Sequence, residues 1–523
     1  MTRSTLPAAP EPQADIMAAL GSGLLLGEAM PVRRIDTHCA SIFLAGDRAW
    51  KVKRAVRFPY LDFSTPDLRR QALEAELRLN RRTAPGLYHR VHAMTRQADG
   101  ELALDGAGET VDWVLEMTRF PDGALLSERA AKGPLDQAML ATLVDGMVAF
   151  HRGADVVDTP SGSARFRRAI EGNIDSLDAV AAGLEADKVA RLVAALRVAM
   201  SAQSALLDRR AAAGRVRHLH GDLHLGNIAL VDGVPLPFDC LEFDEELATI
   251  DTLYDLAFLL MDLWHRGLRA EANLVFNRYL DLMPEDADGV ALLPMLIALR
   301  ATIRAHVLAA QAARHPDQPA LAEAARALLD LALHCLLPRA ALMVGIGGLS
   351  GTGKTTLARQ LAPRLGPVPG ARVLRSDVLR KHLAGVGPEI PLPLAAYGPG
   401  TGAAVYGMLA EMAAATLYQG HAVIGDAVFA RLAERRALAD IARMSGVRFV
   451  GLWLEAEEAE RVRRVSGRRG DASDADAAVA SAQSAYDVGA LEDWQCVNAA
   501  GSAIEMGARA WRCLGVLATE ANA

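Results

Sequence analysis

The octapeptide Gly348-Leu-Ser-Gly-Thr-Gly-Lys-Thr355 constrains the fold of this 523-residue chain more than any other feature. It matches the pattern G-x-x-x-x-G-K-[ST], which binds phosphate where a buried strand is followed by a helix. The apolar run 341–346 precedes it, and the helix-forming sequence 355–362 follows it. This half of the chain is therefore predicted to be a doubly wound α/β domain with a parallel sheet.

The motif gives nucleotide-binding roles to a run of neighbouring residues. Its glycines let backbone N–H groups surround phosphate oxygens, and the N-terminus of the helix adds its dipole. Lys354 is expected to reach the β- and γ-phosphates of ATP, and the Thr355 hydroxyl to ligate Mg²⁺. The other expected contacts to ATP are Gly348, Ser350, Gly351, Thr352, Gly353 and Thr356.

Polar residues follow the strands predicted beyond this motif, at 371–375, 421–425, 447–454 and 494–498. Ligands bind at the carboxyl ends of such strands. Asp377 is a candidate acceptor for the proton of a substrate hydroxyl, although it or Ser376 could instead cap a helix. Arg380 could hold an anion, and Asp426 could hold Mg²⁺ or form a turn.

Arginines cluster after the predicted strand 447–454, between residues 461 and 471. A lid of this kind can neutralise charge on a transferring phosphoryl group, although a charge run is more often a solvated helix face. Arg464 and Arg468 are the predicted phosphate contacts. From about 342 to 515 the chain resembles P-loop kinases of small hydroxylated molecules, such as gluconate kinases, chloramphenicol phosphotransferases and polynucleotide 5′-kinases. The resemblance implies transfer to a hydroxyl and does not select the acceptor.

A second motif lies in the N-terminal half, in His220-Gly-Asp222-Leu-His-Leu-Gly-Asn227. The spacing H-x-D-x-x-x-x-N suits a loop that presents a carboxylate to a hydroxyl and a carboxamide to Mg²⁺. Asp239 follows twelve residues after Asn227, and a hairpin between them would return it to the same metal. Asp222 is thus the predicted catalytic base, and Asn227 and Asp239 are predicted metal ligands, unless the segment is merely an Asp/Asn-rich turn.

These residues, with the sequence 238–244, resemble the aminoglycoside phosphotransferase and choline kinase family, over about 30–335. The resemblance implies a protein-kinase-like fold in which a strand lysine holds the phosphates of ATP and pairs with a helix glutamate. Lys51 and Lys53 share one strand face, so the sequence does not separate them. Glu74 and Glu76 are the candidate partners, and Lys53 with Glu76 is the preferred pair.

The same resemblance implies further positions. The strand that ends at Glu116 and Met117 would be a hinge whose backbone contacts adenine, and Asp255 would brace the catalytic loop. Asp251 could face that loop or cap the helix. The chain departs from the kinase pattern because it has no G-x-G-x-x-G loop and has Asp239-Cys-Leu where protein kinases have Asp-Phe-Gly.

Length and composition indicate a globular protein of two or three domains. Apolar residues make up 51% and charged residues 23% of the chain, and the net charge of −7 disfavours nucleic acid as a partner. Five cysteines without a C-x-x-C pair indicate free thiols, and neither a signal peptide nor a membrane span is expected, so the cytoplasm is the predicted location. The predicted division is a loose tail at 1–14, a kinase-like domain at 15–337 and a P-loop domain at 340–523.

As a whole the chain resembles bifunctional fusions of an aminoglycoside phosphotransferase-like domain with an AAA-type, gluconate-kinase-like ATP-binding domain. The functional prediction is an ATP-dependent phosphotransferase with two Mg²⁺–ATP sites. Its partner would be a small-molecule hydroxyl acceptor, such as a sugar, an aminoglycoside-like compound or an amino alcohol. Two alternatives stay open: one domain is a regulatory ATP-binding module, or the P-loop domain is a toxin-like kinase of nucleic acids or nucleotide sugars. The oligomeric state is open as well.

Overall fold

The chain divides into two compact units. The computed structural model describes residues 13–29, 31–37, 39–58, 61–159, 161–242, 245–467, 471–491 and 493–515. The first unit contains the described residues up to Leu135, together with Ala149–Val157 and Val216–Asp255. The second contains Asp136–Val148, Asp158–Arg215 and the described residues from Leu256 onward. The described helical segments within 158–215 and 256–335 thus belong to the same unit as the P-loop.

Strands occur in both units. In chain order they are β1 (Arg33–Asp36), β2 (Ala40–Ala45), β3 (Arg48–Lys53), β4 (Arg57–Phe58), β5 (Leu61–Asp62), β6 (Tyr88–Arg96), β7 (Leu102–Leu104), β8 (Glu109–Thr118), β9 (Val216–His218), β10 (Ile228–Val231), β11 (Val234–Pro237), β12 (Thr249–Asp251), β13 (Leu342–Gly347), β14 (Arg372–Arg375), β15 (Val423–Asp426), β16 (Arg448–Glu455) and β17 (Trp494–Asn498). The strands of the P-loop region lie within one or two residues of their predicted positions, because continuous apolar runs mark them.

Helices connect these strands and fill the middle of the chain. In chain order they are α1 (Ala14–Ser22), α2 (Pro66–Asn80), α3 (Leu126–Ala130), α4 (Gln137–Gly153), α5 (Gly162–Val180), α6 (Ala186–Ala212), α7 (Glu245–Ala248), α8 (Thr252–His265), α9 (Arg269–Leu282), α10 (Leu293–Arg314), α11 (Pro319–Cys335), α12 (Lys354–Leu361), α13 (Ser376–Leu383), α14 (Pro399–Tyr418), α15 (Leu432–Met444), α16 (Glu458–Ser466), α17 (Ala477–Ala482) and α18 (Ala503–Leu514). The region from 134 to 337 is mostly helical.

The first unit is built on an antiparallel sheet with the order β1-β2-β3-β8-β6-β7. Alternate side chains of β3 point to opposite faces. Trp50 and Val52 pack with Leu20 of α1 on one face. Ala49 packs with Leu73 of α2 on the other face, which is also the face of Lys51 and Lys53. The sheet therefore presents both candidate lysines on the side of α2.

The P-loop lies at the carboxyl end of a parallel sheet with the order β14-β15-β13-β16-β17. Its central strand β13 buries Val344 against Leu357 of α12, while Met343 packs on the opposite face against Leu438 of α15. Strand order reverses about β13, and in such sheets the crevice beyond the carboxyl ends binds ligands. The predicted fold class is confirmed: a kinase-like fold is followed by a P-loop kinase fold.

One boundary of the predicted tail needs correction. Residues 1–12 lie outside the described part of the chain, but Gln13 is buried and Ala14 begins α1. The Gln13 side-chain amide donates to the Lys53 carbonyl at 3.0 Å and to Asp112 Oδ2 at 2.6 Å. Gln13 is thus part of the packed sheet, and the polar sequence around it gave no periodic signal for this.

Two helical segments have the length and mean hydropathy of a membrane span: Ala186–Ala212, at 1.3, and Pro284–Arg314, at 1.5. In the second segment, 67% of the most apolar 18-residue window is buried, as in the core helix of a globular protein. In the first segment this share is 22%. One or two such helices are weak evidence for a membrane span, so the expectation of none stays a prediction.

Candidate active sites

The H-x-D-x-x-x-x-N motif folds into a tight loop that brings Asp222 and Asn227 together. The side-chain amide of Asn227 donates to Asp222 Oδ2 at 2.8 Å and to the Asp222 carbonyl at 3.0 Å. His224 Nε2 lies 3.5 Å from the same carboxylate oxygen. Because the amide nitrogen of Asn227 faces Asp222, its amide oxygen is directed elsewhere, and this oxygen is the atom that can ligate a cation.

Asp255, near the start of α8, braces this loop. Its side chain is fully buried and accepts hydrogen bonds from the backbone N–H groups of His220 at 3.2 Å and Gly221 at 3.0 Å. His151 Nε2 lies 3.2 Å from the same carboxylate. Asp251 accepts a hydrogen bond from a backbone N–H within the first turn of α8, at 2.8 Å, and so helps to cap that helix.

The β10–β11 hairpin returns Asp239 to this loop. The backbone N–H of Phe238, the residue before Asp239, donates to the Asn227 carbonyl at 2.9 Å. Asp239 has a φ of 61°, in the left-handed region that asparagine and aspartate tolerate better than most residues. Its own N–H donates to the Tyr88 hydroxyl at 3.1 Å, and the next N–H donates to Asn80 Oδ1 at 2.8 Å. These contacts hold a backbone conformation of the kind that clusters at functional sites.

Both candidate lysines contact Glu76, while Glu74 is exposed. Lys51 Nζ lies 2.7 Å from Glu76 Oε1, and Lys53 Nζ lies 2.7 Å from Glu76 Oε2. Lys51 also lies 2.6 Å from Asp239 Oδ1, whereas Lys53 pairs with Glu242. Lys51 is therefore the lysine that joins the helix glutamate to the predicted metal ligand.

Neighbouring charges shift the pKa values of the lysines and carboxylates in this cluster. Burial alone would lower the pKa of Lys51, but the carboxylates of Asp239 and Glu76 outweigh it and raise the pKa well above its usual value. Burial raises the pKa of Asp239, but Lys51 and Lys53 overcome this and lower it. Burial also raises the pKa of Glu242, against the attraction of Lys53. Lys51 and Asp239 therefore form a charged pair at neutral pH.

The predicted hinge residues Glu116 and Met117 lie inside the sheet. Strand β8 pairs with β3 on one side and β6 on the other at both residues, so their backbone groups already take part in the ladder. The Glu116 side chain lies 3.0 Å from His92 Nε2. The strand ends at Thr118, and the predicted backbone contact of Glu116 and Met117 with adenine stays a prediction.

The P-loop backbone requires glycine at three positions. Gly348, Gly351 and Gly353 have φ values of 138°, 87° and 94°. A Cβ on Gly351 would lie 2.4 Å from the Arg461 carbonyl oxygen, and a Cβ on Gly348 would lie 2.7 Å from a carbonyl oxygen of β16. Any side chain at these positions would displace the loop from β16 and α16, which explains why the motif needs these glycines.

Thr355 and Asp426 meet at the carboxyl ends of β13 and β15. The Thr355 hydroxyl donates to Asp426 Oδ2 at 2.6 Å, and Arg375 Nε lies 3.6 Å from the same oxygen. Lys354 Nζ donates to the Leu349 carbonyl within the P-loop at 3.1 Å. The structure thus places the predicted phosphate lysine and the two predicted magnesium ligands side by side.

Asp377 lies in the first turn of α13, directly after β14, and faces the same crevice. Burial raises the pKa of Asp377; Arg375 opposes this, and the charge of Asp426 adds to it. Ser473 donates a hydrogen bond to it. Because a general base works best with a pKa near the working pH, a raised carboxylate pKa suits a proton acceptor.

A cavity of about 960 Å³ lies at these carboxyl ends. The predicted residues that line it are Ser350, Gly351, Gly353, Lys354, Thr355, Thr356, Asp377, Arg380 and Asp426. Arg464 is not among the described residues that line it; instead it donates to the Ala499 carbonyl at 2.9 Å and pairs with Glu460 at 2.7 Å. Arg464 therefore lies beside the P-loop rather than over the cavity, and Arg468 lies outside the described residues.

Sequence reasoning missed several residues of this cavity. Arg359, Arg431 and Asp471 line it, as do Tyr397 and Asp474. Asp471 lies 2.6 Å from Arg375 Nη2, and Asp474 accepts from the Tyr397 hydroxyl. The repeated aspartates of D-A-S-D-A-D, which directly follow the arginine cluster, were the available signal.

The oxygen donors in both units suit magnesium. Mg²⁺ usually takes one or two protein oxygens and completes its shell with phosphate and water. Asn227 with Asp239, and Thr355 with Asp426, supply such pairs. In the described parts of the chain, no group of three or more His, Cys, Asp or Glu could hold a metal. Each pair therefore fits an ion that is bound jointly with a nucleotide.

Comparisons with known proteins match both halves. A family model described as "Phosphotransferase enzyme family" matches residues 60–293, and one described as "AAA domain" matches residues 343–487. Among solved structures, a gluconokinase from Sinorhizobium meliloti 1021 is 19% identical, with a TM-score of 0.25, and covers 35% of this chain and 97% of its own. A choline/ethanolamine kinase family protein from Mesorhizobium loti is 16% identical, with a TM-score of 0.35, and covers 62% and 95%.

Two relatives extend over most of the chain. The uncharacterized proteins Rv2004c of Mycobacterium tuberculosis (strain ATCC 25618 / H37Rv) and Mb2027c of Mycobacterium bovis are each 30% identical over 421 residues. The match covers 77% of this chain and 80% of each relative. The chain therefore belongs to the family of these mycobacterial proteins, and it is an ATP-dependent phosphotransferase in which a phosphotransferase-enzyme-family domain precedes an AAA domain that carries the P-loop.

Proposed function

We propose that the chain has two Mg²⁺–ATP sites and that each transfers the γ-phosphoryl group of ATP to a hydroxyl group of a small molecule. One observation carries the proposal: each unit gathers a lysine, a pair of magnesium-type oxygen donors and a carboxylate. In the first unit these are Lys51, Asn227 with Asp239, and Asp222. In the second they are Lys354, Thr355 with Asp426, and Asp377.

In the first unit, Lys51 rather than Lys53 holds the phosphates of ATP. Lys51 contacts both Glu76 and Asp239, so a phosphate bound there would lie next to the metal ligands. Lys53 has only 1% of its side chain exposed and is held between Glu76 and Glu242. Both carboxylate partners of Lys53 are buried, whereas Asp239, the second partner of Lys51, is 39% exposed, so Lys53 is better suited to fixing β3 and α2 than to binding a ligand.

The transfer needs one new bond and one broken bond. The oxygen of the acceptor hydroxyl bonds to the γ-phosphorus, the bond from that phosphorus to the β–γ bridging oxygen breaks, and ADP leaves with the electron pair. The hydroxyl proton passes to Asp222 in one site and to Asp377 in the other. Lysine and magnesium charge stabilises the developing negative charge, and positioning supplies most of the remaining catalysis.

Equilibrium binding of Mg²⁺–AMP-PNP, a non-hydrolysable ATP analogue, tests whether there are two sites. Titration calorimetry of the full-length protein should give two nucleotides per chain for the wild type and one each for Lys354→Ala and Lys51→Met. EDTA should weaken both events, since Mg²⁺ held by Asn227 with Asp239, or by Thr355 with Asp426, would neutralise phosphate charge. If the wild type bound only one nucleotide, and only one of the two variants lost this binding, the second site would be refuted.

The predicted partner and the predicted location of the protein are proposals as well. A small-molecule acceptor remains the proposed partner, and the net charge of −7 supports it over nucleic acid. The cytoplasm remains the proposed location. The cavity beside Asp377 contains Arg380 and Arg431 together with acidic residues, so charged polyols of either sign belong in an acceptor screen.

A further inference from the structure

Helix α9 covers the open edge of the P-loop sheet. Strand β14 is an edge strand, and its outer side would leave backbone groups unpaired. Asn277 of α9 supplies partners for them: its Oδ1 accepts from Val373 N–H at 2.7 Å, and its Nδ2 donates to the Ala371 carbonyl at 3.2 Å. Asn273, one turn earlier, donates to the carbonyls of Pro369 and Ala371 at 3.2 and 3.1 Å. Two asparagines thus take the place of a neighbouring strand.

A buried ion pair fixes the register of this contact. Arg372 of β14 is 2% exposed, and its guanidinium lies 2.6 Å from Asp281 Oδ1 of α9. The same guanidinium donates to Asn277 Oδ1 at 3.1 Å and to the Asn277 carbonyl at 3.2 Å. Because a buried charge is costly without its partners, the geometry permits little sliding of β14 along α9.

The same helix also holds the segment that follows α13. Arg278 donates to Glu389 Oε1 at 2.7 Å, and its other nitrogens bind both carboxylate oxygens of Asp145 at 2.7 Å. Strand β14 leads directly into α13, which carries Asp377 and Arg380 in the cavity. Neighbouring residues of α9 therefore fix the chain both before and after α13.

We propose that Asn277 and Arg278 are positioning residues for the acceptor side of the P-loop site. Through β14 and Glu389 they set the place of α13, and hence the distance from Asp377 to the hydroxyl that it deprotonates. Helix α9 precedes the matched P-loop segment 343–487, so that segment depends on a helix outside itself. This inference rests on the proposed kinase activity of the P-loop site.

The test compares full-length Asn277→Ala, Asn277→Asp and Glu271→Ala. The aspartate keeps an acceptor for Val373 N–H and for Arg372, and Glu271 lies on the same helix outside the contacts described above. Turnover is measured with the acceptor that gives the largest Lys354-dependent release of ADP. Asn277→Ala should lower kcat at least tenfold while the Kd for Mg²⁺–AMP-PNP stays within twofold, because the P-loop itself is not touched. Asn277→Asp, which keeps the acceptor but loses the donor to the Ala371 carbonyl, should recover part of kcat, and Glu271→Ala should behave as the wild type.

Two outcomes would overturn the inference: wild-type kcat in Asn277→Ala, or an equal loss of kcat and nucleotide binding, which would indicate general damage to the fold. If the wild type shows no Lys354-dependent turnover with any acceptor, the proposed function fails separately. Amide hydrogen exchange with Mg²⁺–AMP-PNP then decides the inference. Residues 376–383 should exchange faster in Asn277→Ala than in Asn277→Asp, with residues 342–361 unchanged, and equal exchange over 376–383 would overturn it.

Discussion

At the scale of single residues, the carboxylates carry the chemistry and the lysines set their charge. Asp222 accepts two donors from its own loop, and Asp377 lies where burial raises its pKa. Neighbouring lysines and arginines decide which carboxylates stay ionised. The residues proposed to move a proton are therefore different from those proposed to hold phosphate. Substitutions in the two groups should affect turnover and nucleotide binding differently.

Asp222→Asn should abolish turnover in the first unit without loss of nucleotide binding. A positioned general base contributes about 10²- to 10⁴-fold, so kcat should fall by at least about 100-fold. The amide retains the size of the carboxylate, so the Kd for Mg²⁺–AMP-PNP should change by less than about threefold. Steady-state ADP release and calorimetry measure the two quantities. Turnover that persists in this variant would remove Asp222 from the role of base.

Lys51→Met and Lys53→Met should differ in kind. Lys51 lies beside Asp239, so its loss should remove nucleotide binding in the first unit. Lys53 lies between Glu76 and Glu242, so its loss removes the cation that buried Glu242 contacts and should cost about 3–5 kcal/mol of unfolding free energy. Calorimetry and urea unfolding measure the two effects. Loss of binding in Lys53→Met with a normal unfolding free energy would reverse the assignment.

The sequence could not decide between these lysines, because residues two apart share a strand face and differ only in tertiary neighbours. The choice between Glu74 and Glu76 depended on burial in the folded protein, because the rotation of helix α2 about its axis determines which of the two glutamates faces the sheet. Asp222, Asn227 and Asp239 were accessible because their spacing is local and a hairpin closes it. Asp471 and Asp474 were missed because they contact residues of β14 and α13 that lie about 90 residues earlier in the chain.

At the scale of elements, the P-loop and the strands around it account for most of what sequence predicted. The parallel strands are buried on both faces, so they read as continuous apolar runs. Strand β1 gives no strand signal in the sequence, because its four residues are exposed and show no alternation. Helix α9 gave no sign of its contact with β14, since asparagines that pair with a sheet edge look like ordinary polar helix residues.

Gly351→Ala should disable the P-loop. A methyl group there would meet the Arg461 carbonyl oxygen at 2.4 Å, and the φ of 87° disfavours any side chain. We expect a lower melting temperature and loss of nucleotide binding in the second unit. Gly407→Ala in α14 is the matched control: nothing lies within 4 Å of its Cβ, and alanine should stabilise that helix by about 0.5–1 kcal/mol. Normal binding by Gly351→Ala would contradict the close approach of the loop to α16.

Buried His421 should make the second unit sensitive to acid. Burial lowers the pKa of His421 to about 4, against a hydrogen bond to the Gly370 carbonyl that raises it. Between pH 6.5 and 4 the unfolded chain binds a proton that the folded chain excludes, so stability falls as the pH falls. Between pH 7 and 5 the resulting loss of unfolding free energy amounts to about 2 kcal/mol. His421→Gln should lose less unfolding free energy over that range. Urea unfolding at both pH values measures it; equal losses in both proteins would contradict the assignment.

At the scale of the whole molecule, two sets of catalytic groups share one chain. Each set lies within its own compact unit, so substitutions in one should leave nucleotide binding in the other unchanged. The chain is similar over 77% of its length to mycobacterial relatives. The acceptors are the part of the function that the fold leaves open, because one fold accommodates many substrates.

The measurement that tests the central claim most directly is the release of ADP from Mg²⁺–ATP across a panel of sugars, sugar acids, aminoglycosides, amino alcohols and nucleosides. The wild type is assayed beside Asp222→Asn and Lys354→Ala. The account predicts acceptor-stimulated rates, some lost only in Asp222→Asn and others lost only in Lys354→Ala. Acceptor-stimulated rates that are lost in the same variant for every acceptor would contradict it and would make the other unit a regulatory nucleotide-binding module.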